Sequence, residues 1–433
     1  MALDFSLLWY LLPVAAIFGY YLSHRSRRER EARAAHEAAF EAGLDQPASL
    51  HPKIDPLKCI GCGACVAACP EGDVLGRIRG KAVLISPTEC IGHGACRTAC
   101  PVDAIELVFG SEKRGVELPH VGPDFQTNVA GVFIAGELGG MGLIRNAIEQ
   151  GRQAVEEIAR LPRGRQSDYD LIIVGGGPAG ISASLAAQEQ GLRYLTIEQE
   201  SFGGTVAHFP RNKLVMTQPA TLPGYGRMDF TEINKEALLA FWEGVITRAG
   251  ANINYGERVD SIGPLANDFS VSTNQRDVTC AYVLLAIGRR GTPRRLGVPG
   301  EESQRVVYRL VDPQQYAGQQ VLVVGGGDSA LEAAASLIEE TDASVILAYR
   351  GDALGRAKPR NRQRVKVATE NGNLRLLLNT NVTAIEPDAV LLESKGRQKR
   401  IPNDAIIVCA GGVLPTDFLR NIGIHIVTKY GTA

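Results

Sequence analysis

Cysteine is the residue type whose spacing in this sequence most clearly indicates chemistry. Seven of the nine cysteines lie between Cys59 and Cys100, whereas Cys280 and Cys409 stand alone in apolar runs. An odd, tightly grouped set favours metal ligation over the disulfide framework of a secreted protein. The sequence therefore predicts a metal-binding segment in a protein that works in a reducing compartment.

Two cysteine runs share one pattern. Residues 59–70 read Cys-Ile-Gly-Cys-Gly-Ala-Cys-Val-Ala-Ala-Cys-Pro, and residues 90–101 repeat this run with His93 at the second ligand position. The pattern resembles bacterial ferredoxins, in which three cysteines of one run hold a cubane and the fourth ligates the other cluster. The predicted ligands are Cys59, Cys62, Cys65 and Cys100 for cluster one, and Cys69, Cys90, His93 and Cys96 for cluster two. A zinc site is the alternative.

His93 departs from the ferredoxin pattern and leaves two interpretations open. Its imidazole could ligate iron, which would keep a four-iron cluster with less negative charge and a raised potential. It could instead stand aside and leave a three-iron cluster. We expect ligation, because imidazole is a common metal ligand and the position is one that a cysteine would fill.

A glycine-rich turn between a buried strand and a helix predicts a dinucleotide site. Gly175, Gly177 and Gly180 form a G-x-G-x-x-G fingerprint, and the next strand ends at Glu198. An acid about 20 residues after the fingerprint is placed for a ribose hydroxyl, and the pyrophosphate would lie on the helix N-terminus.

The same pattern recurs between residues 321 and 350. Gly325, Gly327 and Ala330 form the second turn, and the following strand ends in Arg350. An arginine at this point, with Arg356 close behind, suits a 2′-phosphate and favours NADP over NAD. The alternative is that these arginines only solvate a loop.

Residues 285–293 and 408–415 share a pattern, a strand followed by glycine and then proline. They lie before and after the second fingerprint, as expected of the two segments in which the chain crosses between the domains. Together, residues from about 115 to 433 resemble the flavoprotein family of thioredoxin reductases and thioredoxin-reductase-like ferredoxin–NADP reductases. The resemblance implies FAD contacts at Gly175, Gly177, Pro178, Ala179, Gly180, Glu198, Gly204, Thr205 and Gly288. It implies NADP contacts at Gly325, Gly327, Asp328, Ser329, Ala330, Arg350 and Arg356. Residues 308–319 carry no redox C-x-x-C, so direct disulfide reduction is not expected.

One family motif lies in an unexpected place. Residues 127–137 resemble the closing motif T-N-V-x-G-V-F-A-A-G-D of these flavoproteins, yet they precede the first fingerprint. We interpret this as a circular permutation, with a third nucleotide site as the alternative. The resemblance then implies further FAD contacts at Gly136, Glu137, Arg145, Asn146 and Ala147. His208 and Arg211 have either a place near the flavin or a packing or surface role.

The N-terminus predicts a membrane anchor. Residues 5–22 are uncharged and would span about 27 Å as a helix, and five arginines follow between residues 25 and 33. The positive-inside rule then predicts a single-pass protein of the inner membrane with its body on the cytoplasmic side. A cleaved signal peptide is the alternative, although the start is not basic.

Composition bounds the remaining possibilities. The 433 residues are 45% hydrophobic and carry a net charge of -1, which excludes a disordered or polytopic membrane chain and gives no basic field for nucleic acid. The predicted fold is α/β, with two Rossmann-like domains, a small α+β ferredoxin domain and one transmembrane helix. The predicted segments are 1–23 anchor, 24–50 charged helical linker, 51–110 ferredoxin domain, 111–167 displaced FAD segment, 168–295 FAD domain, 296–405 NAD(P) domain and 406–433 return to the FAD domain.

These features predict a membrane-anchored oxidoreductase that passes electrons between NAD(P)H, FAD and two iron–sulfur clusters. Its partner would be an electron-carrier protein or a membrane redox complex, and it could form a homodimer. Two alternatives stay open. One is an electron-supplying subunit similar to the small subunit of glutamate synthase, and the other is a membrane-tethered redox sensor without turnover.

Overall fold

The computed structural model describes residues 5–431 apart from residues 42, 48–49, 113–114, 141, 164–165, 267, 290 and 356. The side chains of residues 5–11, 216 and 292 also lie outside the description. The described chain divides after Val116 and after Thr428 into two compact units. The first unit contains both cysteine runs, and the second contains both glycine turns.

The chain begins with one long helix, Phe5–Glu41, where the sequence predicts an anchor and a separate charged linker. The helix continues without a break from the apolar residues into charged sequence, where Arg27 and Glu31 form an ion pair of 2.9 Å. In the part of the chain that the structure describes, no helix is long and apolar enough to cross a membrane. The predicted transmembrane span is therefore not confirmed, and its residues 1–4 lie outside the described residues.

The rest of the first unit is a small α+β fold built on the sequence repeat. The antiparallel strand pairs are His51–Ile54 with Ile105–Val108 and Leu75–Ile78 with Lys81–Leu84. Each cysteine run enters a short helix, Ala64–Ala68 or Ala95–Thr98, through a left-handed glycine, Gly63 or Gly94. In the first run, Cys65 lies in the first turn of the helix and Cys69 caps its other end.

A seven-stranded sheet forms the first half of the second unit. Its strand order is Ile253–Asn254, Tyr194–Ile197, Tyr169–Val174, Asp277–Leu285, Asp268–Thr273 and Val259–Leu265. The short strand Val132–Ile134 also pairs with Asp277–Leu285, in parallel. The segment before the first fingerprint therefore lies in the same sheet as the fingerprint strand, as the sequence predicts.

The helix Ile144–Ala159 packs closely on the fingerprint helix Pro178–Glu189. A Cβ atom on Gly151 would lie 2.1 Å from the carbonyl oxygen of Ala179, so glycine is required at this crossing. The sheet beneath is fully buried at Ile172, Ile173 and Leu284. Buried parallel strands of this kind read as continuous apolar runs, which is how residues 171–174 appear in the sequence.

A second sheet is parallel throughout and carries the second fingerprint. Its order is Val306–Val307, Ala405–Val408, Gln320–Val324, Ser344–Ala348 and Leu374–Leu377, with helices Asp328–Glu340 and Pro359–Glu370. An antiparallel sheet of Thr380–Ile385, Ala389–Ser394 and Arg397–Pro402 follows. Because Ala405–Val408 completes this parallel sheet, the predicted return to the FAD domain at residue 406 is too early.

The chain crosses back where Thr292–Pro293 pairs with Gly412–Val413. This pairing joins the two glycine-containing segments that bracket the second sheet, as paired crossovers should. The other described α-helices are Lys235–Ala249 and Thr416–Ile422, and the other described strands are Val116–Pro119, Leu214–Met216, Ala220–Leu222, Gly226–Met228, Glu232–Asn234 and Ile426–Lys429. The whole is a mixed α/β fold.

Candidate functional site

A cavity of about 1060 Å³ in the second unit extends from the first glycine turn to the second. The predicted FAD residues in its wall are Gly136, Glu137, Ala147, Gly175, Gly177, Pro178, Ala179, Glu198, Gly204, Thr205 and Gly288. The predicted NADP residues in its wall are Gly325, Gly327, Asp328, Ser329 and Arg350. Two dinucleotide sites predicted separately thus open into one space.

The first glycine turn has the geometry that a dinucleotide requires. Gly175 adopts φ +111°, and a Cβ atom there would lie 2.5 Å from the carbonyl oxygen of Ala286. A Cβ atom on Gly177 would meet nothing nearer than 4.0 Å, so the backbone is open to a pyrophosphate at the helix N-terminus. Gly180 acts differently from the prediction, because a Cβ atom there would lie 1.8 Å from the carbonyl oxygen of Gly175. It lets the helix approach the strand and does not line the cavity.

Glu198 is held rigidly at the end of the second strand. Its Oε2 accepts a hydrogen bond of 2.6 Å from the Gly176 N–H, and its Oε1 accepts one of 2.9 Å from the Glu200 N–H. The side chain is buried and borders the cavity. A carboxylate fixed in this way presents its remaining lone pairs to a ribose hydroxyl, which fits the predicted role.

The displaced segment reaches the same cavity. A Cβ atom on Gly136 would lie 3.0 Å from the Cβ of Ala179, and the Gly136 N–H donates to Gln150 Oε1 at 2.8 Å. Of residues 145–147, Ala147 lines the cavity, whereas Arg145 donates to Gln218 Oε1 at 2.8 Å. Neither Arg145 nor Asn146 is among the described residues of the wall, and their contacts with the flavin stay predictions.

The second glycine turn is similar but tighter. Gly325 adopts φ +149°, and a Cβ atom on Gly326 would lie 2.5 Å from the ring of Tyr349. The side chain of Ala330 is fully buried and packs behind the turn, and its predicted contact with the dinucleotide stays a prediction. Arg350 lies in the cavity wall directly after Tyr349, whereas the predicted contact at Arg356 lies outside the described residues.

Asp328 is fixed at the start of the helix that follows this turn. Its Oδ1 accepts from the Lys358 N–H and from Asn361 Nδ2, both at 2.8 Å. These bonds tie the loop after Arg350 to the helix N-terminus. The loop that would face a 2′-phosphate is therefore held beside the pyrophosphate site.

A polar network in the cavity wall was missed by the sequence reasoning. Glu200 Oε2 lies 2.6 Å from His208 Nε2 and 3.1 Å from an Nη atom of Arg309, which belongs to the segment leading to the second sheet. Arg211 pairs with Asp312 at 3.3 Å, with its own side chain largely exposed. Residues 109 positions apart give no periodic signal that could have predicted the Glu200 network.

In the first unit, the predicted iron ligands line two small cavities. One is bordered by Cys59, Cys62, Cys65 and Cys100. The other is bordered by Cys69, Cys90, His93 and Cys96. Each cavity takes one ligand from the opposite run, which is the exchange that the ferredoxin pattern implies.

The first cavity has the chemistry of an iron–sulfur site. The Ala82 N–H donates to Cys59 Sγ at 3.5 Å, and the Ala104 N–H donates to Cys100 Sγ at 3.3 Å. Burial raises the pKa of Cys65 to about 11. A thiol in this environment stays protonated unless a cation compensates the thiolate, and iron supplies that charge. The residues present therefore fit a cluster.

The second cavity differs in its fourth ligand. His93 lies in its wall beside Glu71, with Nε2 3.7 Å from Oε1 of the carboxylate. Burial lowers the pKa of His93, and Glu71 opposes this effect. The neutral ring, which is the form that ligates metals, is thus favoured. Burial likewise raises the pKa of Cys69, Cys90 and Cys96.

Comparison with protein families decides the assignment of the second unit. The family described as pyridine nucleotide-disulphide oxidoreductase matches residues 172–431, which is more than half of the chain. The chain belongs to this family. A second family, described as the 4Fe-4S dicluster domain, matches residues 51–101 of the oxidoreductase.

Known proteins resemble the oxidoreductase over the same part. Bacilliredoxin reductase of Bacillus subtilis is 27% identical over 60% of this chain and 82% of its own length. A ferredoxin–NADP reductase of Ignicoccus hospitalis is 27% identical over 60% of this chain and 83% of its own length. The solved bacillithiol disulfide reductase of Staphylococcus aureus has 25% identity and a TM-score of 0.51, covering 59% of this chain and 80% of its own.

Family and geometry together establish the chemistry at a coarse level. The protein is an FAD-dependent NAD(P)H oxidoreductase with a 4Fe-4S dicluster domain. Its cofactors are FAD, NADP and iron–sulfur clusters. The predicted cofactor classes are thus confirmed, whereas the individual contact residues stay predictions.

Proposed function

We propose that the protein passes electrons between NADPH and a separate electron-carrier protein by way of FAD and its two iron–sulfur clusters. The observation that carries this proposal is the cavity of about 1060 Å³ that Glu198 and Arg350 both border. A continuous space lets two dinucleotides lie in the same chamber. When bound, FAD accepts a hydride from NADPH and can release the electrons singly.

The side chains of this chain bind and orient rather than react. Glu198 holds a ribose, and the helix N-terminus at Pro178 faces a pyrophosphate. Arg350 places a positive charge at the edge of the second site. The Glu200–His208 pair lies in the wall between the two turns and borders the chamber with polar atoms that are already partnered.

Anaerobic titration with NADPH tests the proposal. We expect the flavin absorbance to bleach first and the cluster signals in electron paramagnetic resonance to follow. Reduction by dithionite, which needs no dinucleotide site, is the control that shows whether the clusters are intact and reducible. Binding of NADPH without bleaching would reject electron transfer and favour the redox sensor.

We further propose that His93 ligates cluster two. Support comes from its place in the same cavity wall as Cys69, Cys90 and Cys96. The carboxylate of Glu71 near Nε2 suits the outer partner that metal-bound histidines usually have, so Nδ1 would face the iron.

We also propose that the flavin domain is circularly permuted. The family match begins at residue 172, after the displaced segment. The strand Val132–Ile134 nevertheless joins the fingerprint sheet, and Gly136 and Glu137 border the cavity. The described C-terminal residues run beside this segment, because the His120 N–H donates to the carbonyl oxygen of His425 at 2.8 Å. The predicted position of Ala433 lies outside the described residues.

Finally, we propose that the N-terminal helix attaches the protein to the cytoplasmic face of the inner membrane. Its support is a run of exposed apolar side chains, among them Ile17 at 70% and Phe18 at 61%, followed by arginines. Flotation with vesicles should capture the full chain but not a chain that lacks residues 2–23. Equal flotation of both would reject attachment through this helix.

A further inference from the structure

The edge of cluster one is open to solvent. Among its ligands, Cys62 is exposed to solvent, whereas Cys59 and Cys65 are buried. On either side of Cys59, Leu57 is 93% exposed and Ile60 is 63% exposed. Large apolar side chains beside an exposed metal ligand are typical of a place where another protein docks.

Positive charge surrounds this edge. Lys81 Nζ donates to the carbonyl oxygen of Cys59 at 2.6 Å, so its ammonium group is fixed against the ligand loop. A Cβ atom on Gly61 would lie 1.8 Å from the carbonyl oxygen of Gly80, which shows that the turn containing Arg79 touches the same loop. The side chains of Lys58 and Arg79 are exposed there. We call Leu57, Lys58, Ile60, Cys62, Arg79 and Lys81 the cluster-one patch.

Carboxylates also lie near cluster one: Asp55 and Glu29 accept hydrogen bonds from backbone groups, and Asp103 lies between the cavity-lining residues Val102 and Ala104. Asp55 Oδ1 accepts from the Leu57 N–H at 2.8 Å, and Glu29 Oε1 accepts from the Arg79 N–H at 2.8 Å. Arg77, beside the patch, adds a further cation whose Nη1 lies 3.5 Å from the carbonyl oxygen of Gly61. The four cations Lys58, Arg77, Arg79 and Lys81 therefore outnumber these three carboxylates around cluster one.

The surroundings of cluster two are different. Its cysteine ligands are buried or half-buried rather than exposed. The charged group in its cavity wall is the carboxylate of Glu71, and Asp73 is exposed close by in the sequence. Ile91, at 37%, and Arg97 are exposed beside cluster two as well. Its cysteine ligands are covered, however, and Glu71 and Asp73 place negative charge beside it, whereas at cluster one an exposed ligand and exposed cations lie together.

We propose that the cluster-one patch docks a one-electron carrier protein with an acidic face, and that electrons leave the protein through cluster one. This inference rests on the proposed function and names the partner of that site. Charge complementarity speeds encounter and orients the partner, and the apolar residues exclude water at the point of contact. For each NADPH oxidised to NADP⁺ with release of a proton, two carriers each gain one electron, and reduced cluster one is reoxidised each time.

The test is stopped-flow mixing of reduced full-length protein with two probes, an acidic flavodoxin and the basic cytochrome c. Lys58→Glu should lower the second-order rate with flavodoxin at least tenfold and leave or raise the rate with cytochrome c. Arg97→Glu is the matched control, since Arg97 is an exposed arginine beside cluster two, and its rate with flavodoxin should change less than twofold. Arg79→Asn should also lower the rate with flavodoxin. Asparagine is chosen because Arg79 has φ +52°, a backbone conformation that asparagine adopts more readily than most residues.

Three outcomes overturn the inference. The first is equal loss in Lys58→Glu and Arg97→Glu, and the second is a flavodoxin rate that does not fall as salt rises. The third is loss of binding to anionic phosphatidylglycerol vesicles in Lys58→Glu with an unchanged flavodoxin rate, which would assign the patch to lipid. The rates with flavodoxin can be measured on protein reduced by dithionite even if NADPH fails to reduce the clusters. Failure of the proposed function is therefore distinguished from failure of docking at cluster one. Iron content and the cluster spectra verify that each variant is intact.

Discussion

The side chain of Asn128 forms hydrogen bonds with Gly423 and His425, and so joins the segment before the strand Val132–Ile134 to the end of the second unit. Its Oδ1 accepts a hydrogen bond of 2.8 Å from the N–H of His425, 297 residues further along the chain. Its Nδ2 donates to the carbonyl oxygen of Gly423, also at 2.8 Å. The end of the second unit therefore lies against the entry to the strand Val132–Ile134, which is the arrangement that the proposed permutation expects.

The first prediction concerns this junction. Asn128→Ala should lower the free energy of unfolding by about 1 kcal/mol, because it removes two hydrogen bonds at an exposed site. It should also lower the temperature at which FAD is released, since the strand that follows leads to Gly136 in the cavity wall. Flavin fluorescence during thermal unfolding measures the release.

Asn274→Ala is the matched control for Asn128→Ala. Asn274 Oδ1 accepts a similar bond of 2.8 Å from the Arg258 N–H on a hairpin of the same sheet. We expect a comparable loss of stability without early release of FAD. If both variants release FAD alike, the junction has no special role in the flavin site.

The second prediction concerns metal content. The purified protein should hold one FAD and about seven or eight iron atoms per chain, according to whether His93 ligates iron. Cys62→Ala should lower the iron content, because it removes a ligand from the wall of the first cavity. Cys280→Ala, at a buried cysteine of the large sheet, should keep all the iron. About one iron atom per chain would contradict the assignment.

The third prediction separates the two interpretations of His93. If the imidazole ligates cluster two, labelling histidine with ¹⁵N should alter the hyperfine coupling in pulsed electron paramagnetic resonance. His93→Cys should then lower the potential of that cluster, because a thiolate adds negative charge. An unchanged coupling in labelled protein, with a three-iron signal in the oxidised state, would place His93 outside the cluster.

The fourth prediction concerns the choice of dinucleotide. Arg350→Glu should shift the ratio of kcat/KM for NADPH over NADH at least tenfold toward NADH, because an acid repels a 2′-phosphate. Arg397→Glu makes the same charge change on an exposed strand of the three-stranded sheet and should leave the ratio unchanged. A native protein that uses NADH as well as NADPH would show that Arg350 only solvates its loop.

The parts that the sequence predicted well depend on local spacing. The cysteine runs and the glycine turns constrain their own backbones, so the two cluster cavities and the two fingerprint turns could be placed from a few adjacent residues. The Asn128–His425 bond and the Glu200–Arg309 pair join distant residues through the final packing, which leaves no local signal. Gly180 and Ala330 show a related limit, because a motif names the positions without saying whether each one contacts the ligand or the neighbouring strand.

The last prediction concerns stability in acid and rests on Glu257, whose carboxylate is buried. The backbone N–H of Glu257 donates to the carbonyl oxygen of Glu198 at 3.0 Å, which places this residue beside the FAD site. Burial raises the pKa of Glu257, but hydrogen bonds from Arg276, Asn254 and Thr273 outweigh this and hold the pKa below its ordinary value. Because the folded-state pKa is depressed, this carboxylate stabilises the fold above its unfolded pKa of about 4.3, and the contribution is lost as the pH falls through the folded value.

Glu257→Gln should therefore be less stable than the native protein at pH 7, with earlier release of FAD. The difference should shrink as the pH is lowered below about 4, where the native carboxylate itself becomes protonated. Chemical unfolding at several pH values measures this, and a difference that stays constant with pH would show that shape rather than charge explains the effect.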